Sequence, residues 1–151
     1  MSDNTSTAPK PELNVENHTE VRITPYYSHG GIEIYHGDCR DMLPQLEPVD
    51  LVLTDPPYGI NYQYYSYDDT ADNLNKLILE AFPLMRKAGK RTVLTCGHTN
   101  ICKYPPSDWV MCWYYGTTNA RNCWGFTSWQ PILVYGKDPY LENGMGARTD
   151  V

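Results

Sequence analysis

Asp55-Pro56-Pro57-Tyr58 sets a carboxylate, a backbone carbonyl and an aromatic ring within four consecutive residues. Neither proline has an N–H to donate, and Pro56 restricts Asp55 to extended backbone. The Asp55 carboxylate and the Pro56 carbonyl are therefore left as acceptors. Tyr58 adds a flat amphipathic ring, and Gly59 permits a sharp exit. Two acceptors beside a stacking platform suit a flat substrate that carries an exocyclic amine. At roughly 5% usage per residue, such a tetrapeptide arises by chance about once in 1,000 chains of this length, and relaxed variants raise that to about 1%. A plain Pro-Pro turn, with Asp55 capping it and Tyr58 packing nearby, would use the same residues without chemistry.

The elements around this motif read as an α/β fold. Leu51 to Thr54 is a short apolar run suited to a buried parallel strand, so Asp55 falls at its C-terminal end, where open α/β sheets place their ligand sites. Asn61 to Thr70 is a polar, tyrosine-rich loop able to close over a substrate or to act as a plain connection. Asp69 or Thr70 then caps a helix whose apolar stripe is Leu74, Leu77, Ile78, Ala81, Phe82 and Met85. Pro83 predicts a kink or an early end, and Gly89 a stop. Arg91 to Cys96 is a second buried strand, and the β-α-β order makes the two strands a parallel pair. His98 follows on the same side as Asp55. Upstream, Val21 to Tyr27 and Ile32 to His36 form a hairpin around Ser28-His29-Gly30-Gly31. Asp38 follows that hairpin, where an acidic residue can accept from a ribose hydroxyl or an adenine amine or cap a short helix from Arg40 to Leu46. His36 is read as a strand-end packing residue. Trp109 to Tyr115 and Gln130 to Tyr135 are two further strands, joined by a loop over Thr117 to Ser128. Arg121 and Trp124 in that loop could reach a substrate, although four tryptophans this close together are more simply a packed aromatic end.

Asp55-Pro56-Pro57-Tyr58 after an apolar strand resembles the catalytic motif of the S-adenosylmethionine-dependent DNA amino-methyltransferases, which methylate adenine N6 or cytosine N4. The resemblance implies a Rossmann-like class I methyltransferase sheet, S-adenosyl-L-methionine as cofactor and double-stranded DNA as partner, with the target base flipped out of the duplex. It implies that the base stacks on Tyr58 while its amine donates to the Asp55 carboxylate and the Pro56 carbonyl, with Asp55 also beside the cofactor. Gly37-Asp38 matches the pair that contacts the cofactor's adenine. Aspartate at the first motif position leans toward adenine. The implied activity is that of a site-specific, restriction-modification-type methyltransferase; methylation of an amine in RNA or in a protein side chain is a second enzymatic reading.

The resemblance covers about residues 21 to 137, with 1 to 20 expected as a disordered tail and 138 to 151 as an irregular end. The family's glycine-rich cofactor loop, Phe-x-Gly-x-Gly after a strand, is not found. Gly144-Met145-Gly146 has no apolar strand before it. The expected sheet is therefore partial, lacking the glycine-loop strands and exposing unpaired edges. That points to a truncated or split product, or to one whose sheet a second chain completes. The alternative function is an inactive remnant that binds DNA or a partner chain.

Composition sets outer bounds. The chain has 151 residues, 41% hydrophobic, with a net charge of −6 and a pI of about 5.1, which argues against a generic basic nucleic-acid binder. Arg86, Lys87, Lys90 and Arg91 form one local basic cluster that could meet phosphates or simply complement a helix C-terminus. No apolar run approaches the ~18 residues of a membrane span, and the start lacks a signal peptide, so a cytoplasmic protein without a membrane partner is expected. The five cysteines are expected as free thiols. Cys96, His98 and Cys102 lack a fourth ligand at zinc-like spacing, so no metal is expected.

Overall fold

The computed structural model describes residues 23–116, 120–122 and 124–146. The expected N-terminal tail, Cys123, the Arg121 side chain and residues 147–151 lie outside the described residues. Gly30 and Gly31, at φ +59° and +80°, form the two-residue turn of a hairpin between β1 (Tyr27–His29) and β2 (Ile32–Ile34), the geometry that asks for two residues of positive φ in succession. β2 is shorter than the expected Ile32 to His36, and β1 lies later than the expected Val21 to Tyr27, because Ser28 and His29 pair in the ladder and leave the turn to the two glycines; three residues separate β2 from Asp38. Asp38 caps α1 (Cys39–Met42), which continues as a turn of 3-10 helix over Leu43–Gln45.

β3 (Val49–Thr54) leads into the Asp-Pro-Pro-Tyr motif. The Thr70 hydroxyl accepts from the Asn73 amide and starts α2 (Ala71–Ala88). Contrary to the expected kink or early end, α2 runs on past Pro83. That residue sits on the exposed side of the helix, where water can take the freed carbonyl one turn earlier. β4 (Gly89–Thr95) pairs parallel with β3, Leu53 beside Val93 and Thr54 beside Leu94, as the β-α-β order requires. A 3-10 helix over His98–Lys103 follows. β5 (Trp109–Tyr114) then reaches a small hairpin of β6 (Ala120–Asn122) and β7 (Gly125–Thr127), regular structure where a loop was expected. β8 (Trp129–Tyr135) returns antiparallel between β4 and β5. α3 (Pro139–Glu142), capped by Asp138, is one ordered turn in a stretch expected to be irregular.

The main sheet is thus mixed, in the order β3-β4-β8-β5. The apolar stripe of α2 covers one face: Leu74, Ile78 and Phe82 pack with Leu94, Cys96, Leu133, Tyr135 and Tyr104. Strand alternation turns the other side chains away from α2. On β3 those are Val49, Leu51 and Leu53, on β5 Trp109, Met111 and Trp113, and all six are exposed, Leu53 at 72%. Two expectations are corrected here. The strand ending at Thr54 is not buried, because β3 is the sheet's edge and only one of its faces is covered. The tryptophans are not a packed end either, since Trp109, Trp113 and Trp124 are exposed. Trp129 lies edge-on to His98 at 4.5 Å and Trp113 edge-on to Tyr115 at 5.4 Å, but no two tryptophans pack on each other among the described residues. Among the described residues no helix is long and apolar enough to cross a membrane.

Candidate functional site

The parallel pair β3–β4 ends at Thr54 and Thr95, and the antiparallel β8 begins beside them. One edge of the sheet therefore gathers the C-terminal ends of two strands and the N-terminal end of a third. Asp55, the first residue beyond β3, accepts at Oδ1 from the Tyr58 hydroxyl at 2.6 Å and from the Thr95 hydroxyl. The Tyr58 oxygen in turn accepts from the Gln130 side-chain amide, whose carbonyl oxygen accepts from the Tyr115 hydroxyl. Thr95 of β4, Gln130 of β8 and Tyr115 after β5 thus fix one oxygen of Asp55 and the tilt of the Tyr58 ring. No described residue donates to Oδ2 of Asp55 or to the Pro56 carbonyl. Burial, and then the hydrogen bond to Asp55, push the Tyr58 hydroxyl above its ordinary pKa, so it stays protonated and remains a donor.

Two further contacts seat the motif. The Asn100 amide donates to the Tyr58 carbonyl at 2.7 Å and to the Cys96 carbonyl at 3.0 Å, tying the motif to the end of β4. Gly97, at φ +70°, lies against the Tyr58 ring, where a Cβ would come within 3.4 Å of Cδ2.

Asp69 is the residue that sequence reasoning placed only as a helix cap. Thr70 caps α2, and the Asp69 carboxylate turns back instead. It is 1% exposed and accepts from the backbone N–H groups of Gly59, Ile60 and Tyr62 at 2.6, 3.1 and 3.1 Å. Its own carbonyl accepts from the amide of Asn61, a residue at φ +60°. The chain leaving Tyr58 is thereby wrapped around a single buried carboxylate. The loop that follows is bridged at Gln63 and Asp68. Asp55, Pro56, Tyr58, Ile60, Tyr62 and Tyr64 surround a cavity of about 190 Å³ above Asp69.

No protein-family model matches this chain, and no curated protein matches its sequence.

Three of the expected site residues, Asp55, Pro56 and Tyr58, stand together around that cavity. Asp38 has no described contact with it. Both Asp38 oxygens are held by Arg40, through the amide and Nε at 2.9 Å each and Nη2 at 2.5 Å, and Arg40 also pairs with Glu80 of α2. The guanidinium fork pulls the Asp38 carboxyl down to about 2. His98 lies beyond the ring network, its Nε2 buried without a partner and its ring against Trp129. The expected basic cluster is largely engaged within the chain: Lys90 pairs with Asp50, Arg91 with Glu142 and the Lys137 carbonyl, and Arg86 with the carbonyl and ring of Tyr135. Gln130 and Tyr115 were missed. The available signal was Gln130 itself, a polar side chain at the start of an otherwise apolar strand.

Proposed function

We propose that this chain carries the target-amine site of an S-adenosylmethionine-dependent DNA amino-methyltransferase acting on adenine N6, or less readily on cytosine N4. The observation that carries the reading is the pairing of Oδ2 of Asp55 with the Pro56 carbonyl, neither of them engaged by a described residue, beside an oriented Tyr58 ring and over a cavity of about 190 Å³. An apolar cavity of about 150 Å³ admits benzene, so this larger volume is of the order that one flat nucleobase occupies. An exocyclic amine has two N–H donors, which the two acceptors match. Hydrogen bonding there draws the nitrogen lone pair out of conjugation with the ring and makes it nucleophilic. The Asp55 carboxylate would also be placed to take the proton that the amine loses on methylation. When bound, S-adenosylmethionine would supply the electrophilic methyl group. The described residues supply no free donor set for it: Asp38 would meet its adenine only by giving up the Arg40 fork, and Asp55 has one free oxygen. The residues thus fit the amine half of the reaction and not the cofactor half.

A second reading is an inactive remnant that binds DNA or a partner chain. The engaged Asp38 and the exposed apolar face of the sheet favour it, and a second chain laid along β3 would complete the sheet by main-chain hydrogen bonds. Incubation with duplex DNA and methyl-labelled S-adenosylmethionine separates the two. Label transfer that Asp55→Ala abolishes supports the methyltransferase. Transfer unchanged by Asp55→Ala, or neither transfer nor saturable cofactor binding by calorimetry, overturns it.

A further inference from the structure

A second cavity, of about 540 Å³, adjoins the first and is walled by Tyr62, Tyr64, Tyr65 and Tyr67, with Gln63 and Asp68 at its rim. Tyr62 and Tyr64 line both cavities. Their rings stand 4.9 Å apart at 59°, and Tyr67 meets Tyr64 edge-on at 6.2 Å, so the three rings brace one another as a tilted cluster and not as a parallel stack. Tyr65 projects entirely into solvent. We propose that this tyrosine-lined cavity holds the nucleobase next to the target base, so that the chain engages nucleic acid through two successive unstacked bases with Tyr62 and Tyr64 wedged between them. The proposal rests on the reading of Asp55 as the acceptor for the target amine.

The chemistry of the walls selects the occupant. Among the described residues no cationic side chain lines either cavity, whereas Asp55 and Asp69 line the first and Asp68 the second. A phosphate would be repelled from both. A flat, neutral ring with N–H donors is accepted by both, and a base offers a face to tyrosine and an edge to Gln63 and Asp68. Successive bases on a strand are about 3.4 Å apart, so an aromatic wall between two sites requires the intervening stack to open, as inserted side chains do elsewhere. The wall is firm enough for this: Asp69 clamps the amides of Gly59, Ile60 and Tyr62 at its base, and the Gln63–Asp68 bridge closes its far end. Stacking of this kind tolerates any base, because every base has a π-face. The second cavity thus adds affinity for a strand and leaves sequence choice to other contacts.

The test titrates the protein with a single-stranded pentadeoxynucleotide of one adenine flanked by thymines, followed by fluorescence anisotropy. Three changes are compared: an abasic position on either side of the adenine, purine in place of the adenine, and Tyr65→Ala in the protein. An abasic neighbour on one side is expected to weaken binding about fivefold or more. Tyr65→Ala, at a position too exposed to unfold the chain, should weaken the parent strand similarly and bind parent and abasic strands nearly alike. Equal affinity for parent and abasic strands, no effect of Tyr65→Ala, or no saturable binding of the parent strand overturns the proposal. If purine binds as tightly as adenine while the abasic loss persists, the Asp55 reading fails and the neighbouring-base site stands.

Discussion

Replacing Asp69 is expected to damage this protein more than replacing any residue of the Asp-Pro-Pro-Tyr motif. Its carboxylate accepts three backbone N–H bonds and is 1% exposed. Hydrogen bonds to a charged group contribute about 1.5–3 kcal/mol each. The full sum does not apply, because Ile60 and Tyr62 are exposed and water can reach their amides once the carboxylate is gone. Taking the low end for the Gly59 bond and about half that for each of the others gives a loss of about 3 kcal/mol for Asp69→Ala. In a chain of this size the melting temperature should fall by about 10 °C. Asp69→Asn keeps one acceptor oxygen but turns an NH2 group toward amide donors, so it should recover little. Urea denaturation followed by circular dichroism measures the loss, and amide exchange at Gly59, Ile60 and Tyr62 locates it. Asp68→Asn, one residue away and exposed, is the control and should stay within about 0.5 kcal/mol of the parent. An Asp69→Ala protein as stable as that control would refute the reasoning, because the three bonds could not then be holding the loop.

Three further outcomes follow from particular groups. Gly97 sits at φ +70° and ψ 154°, a region essentially reserved for glycine. Gly97→Ala should therefore cost about 1–3 kcal/mol through backbone strain, since the added Cβ would meet Tyr58 at an ordinary 3.4 Å; an unchanged urea midpoint would contradict this. Burial pushes the Cys96 thiol up to about 11, so a thiol reagent at pH 8 should label exposed Cys102 in the folded protein and Cys96 only on unfolding; equal rates would remove Cys96 from the core. The Arg40 fork lowers the Asp38 carboxyl from 3.8 to about 2. A lowered folded-state value means that the pair's contribution is full above the unfolded value and is lost as the pH falls through about 2. Solvent limits that contribution to about 0.5 kcal/mol. Asp38→Asn, which keeps a capping side chain, should therefore lose about that much at pH 7 and progressively less as the pH falls toward and through about 2, and a constant difference across that range would argue against the ion pair.

What the sequence discloses depends on how local the deciding physics is. The parallel β3–β4 pair was legible because everything that sets it lies within about fifty residues: an apolar run, a capping threonine, a 3.6-residue stripe and a glycine stop. Asp55 and Tyr58 were legible because two prolines fix their backbone without outside help. Asp69 was not. A carboxylate just before a helix reads as a cap, and only the fold reveals that Thr70 takes that role and frees Asp69 to turn back on Gly59. Asp38 was legible as the cap of a short helix, because the group it caps and the Arg40 guanidinium that holds it both lie two residues on.

The exposed sheet face carries the most general lesson. Val49, Leu51 and Leu53 have the same side chains whether an element covers them or not, so an apolar strand records a preference for burial and never its fulfilment. The same residues that predicted a buried strand now mark the surface most in need of a partner. Substituting lysine for Leu53 at this edge should lower binding of a hydrophobic dye while leaving the urea midpoint nearly unchanged, because the parent side chain is 72% exposed and gives up little contact. A large loss of stability would instead mean that Leu53 is already covered in solution, and that β3 is not an open edge.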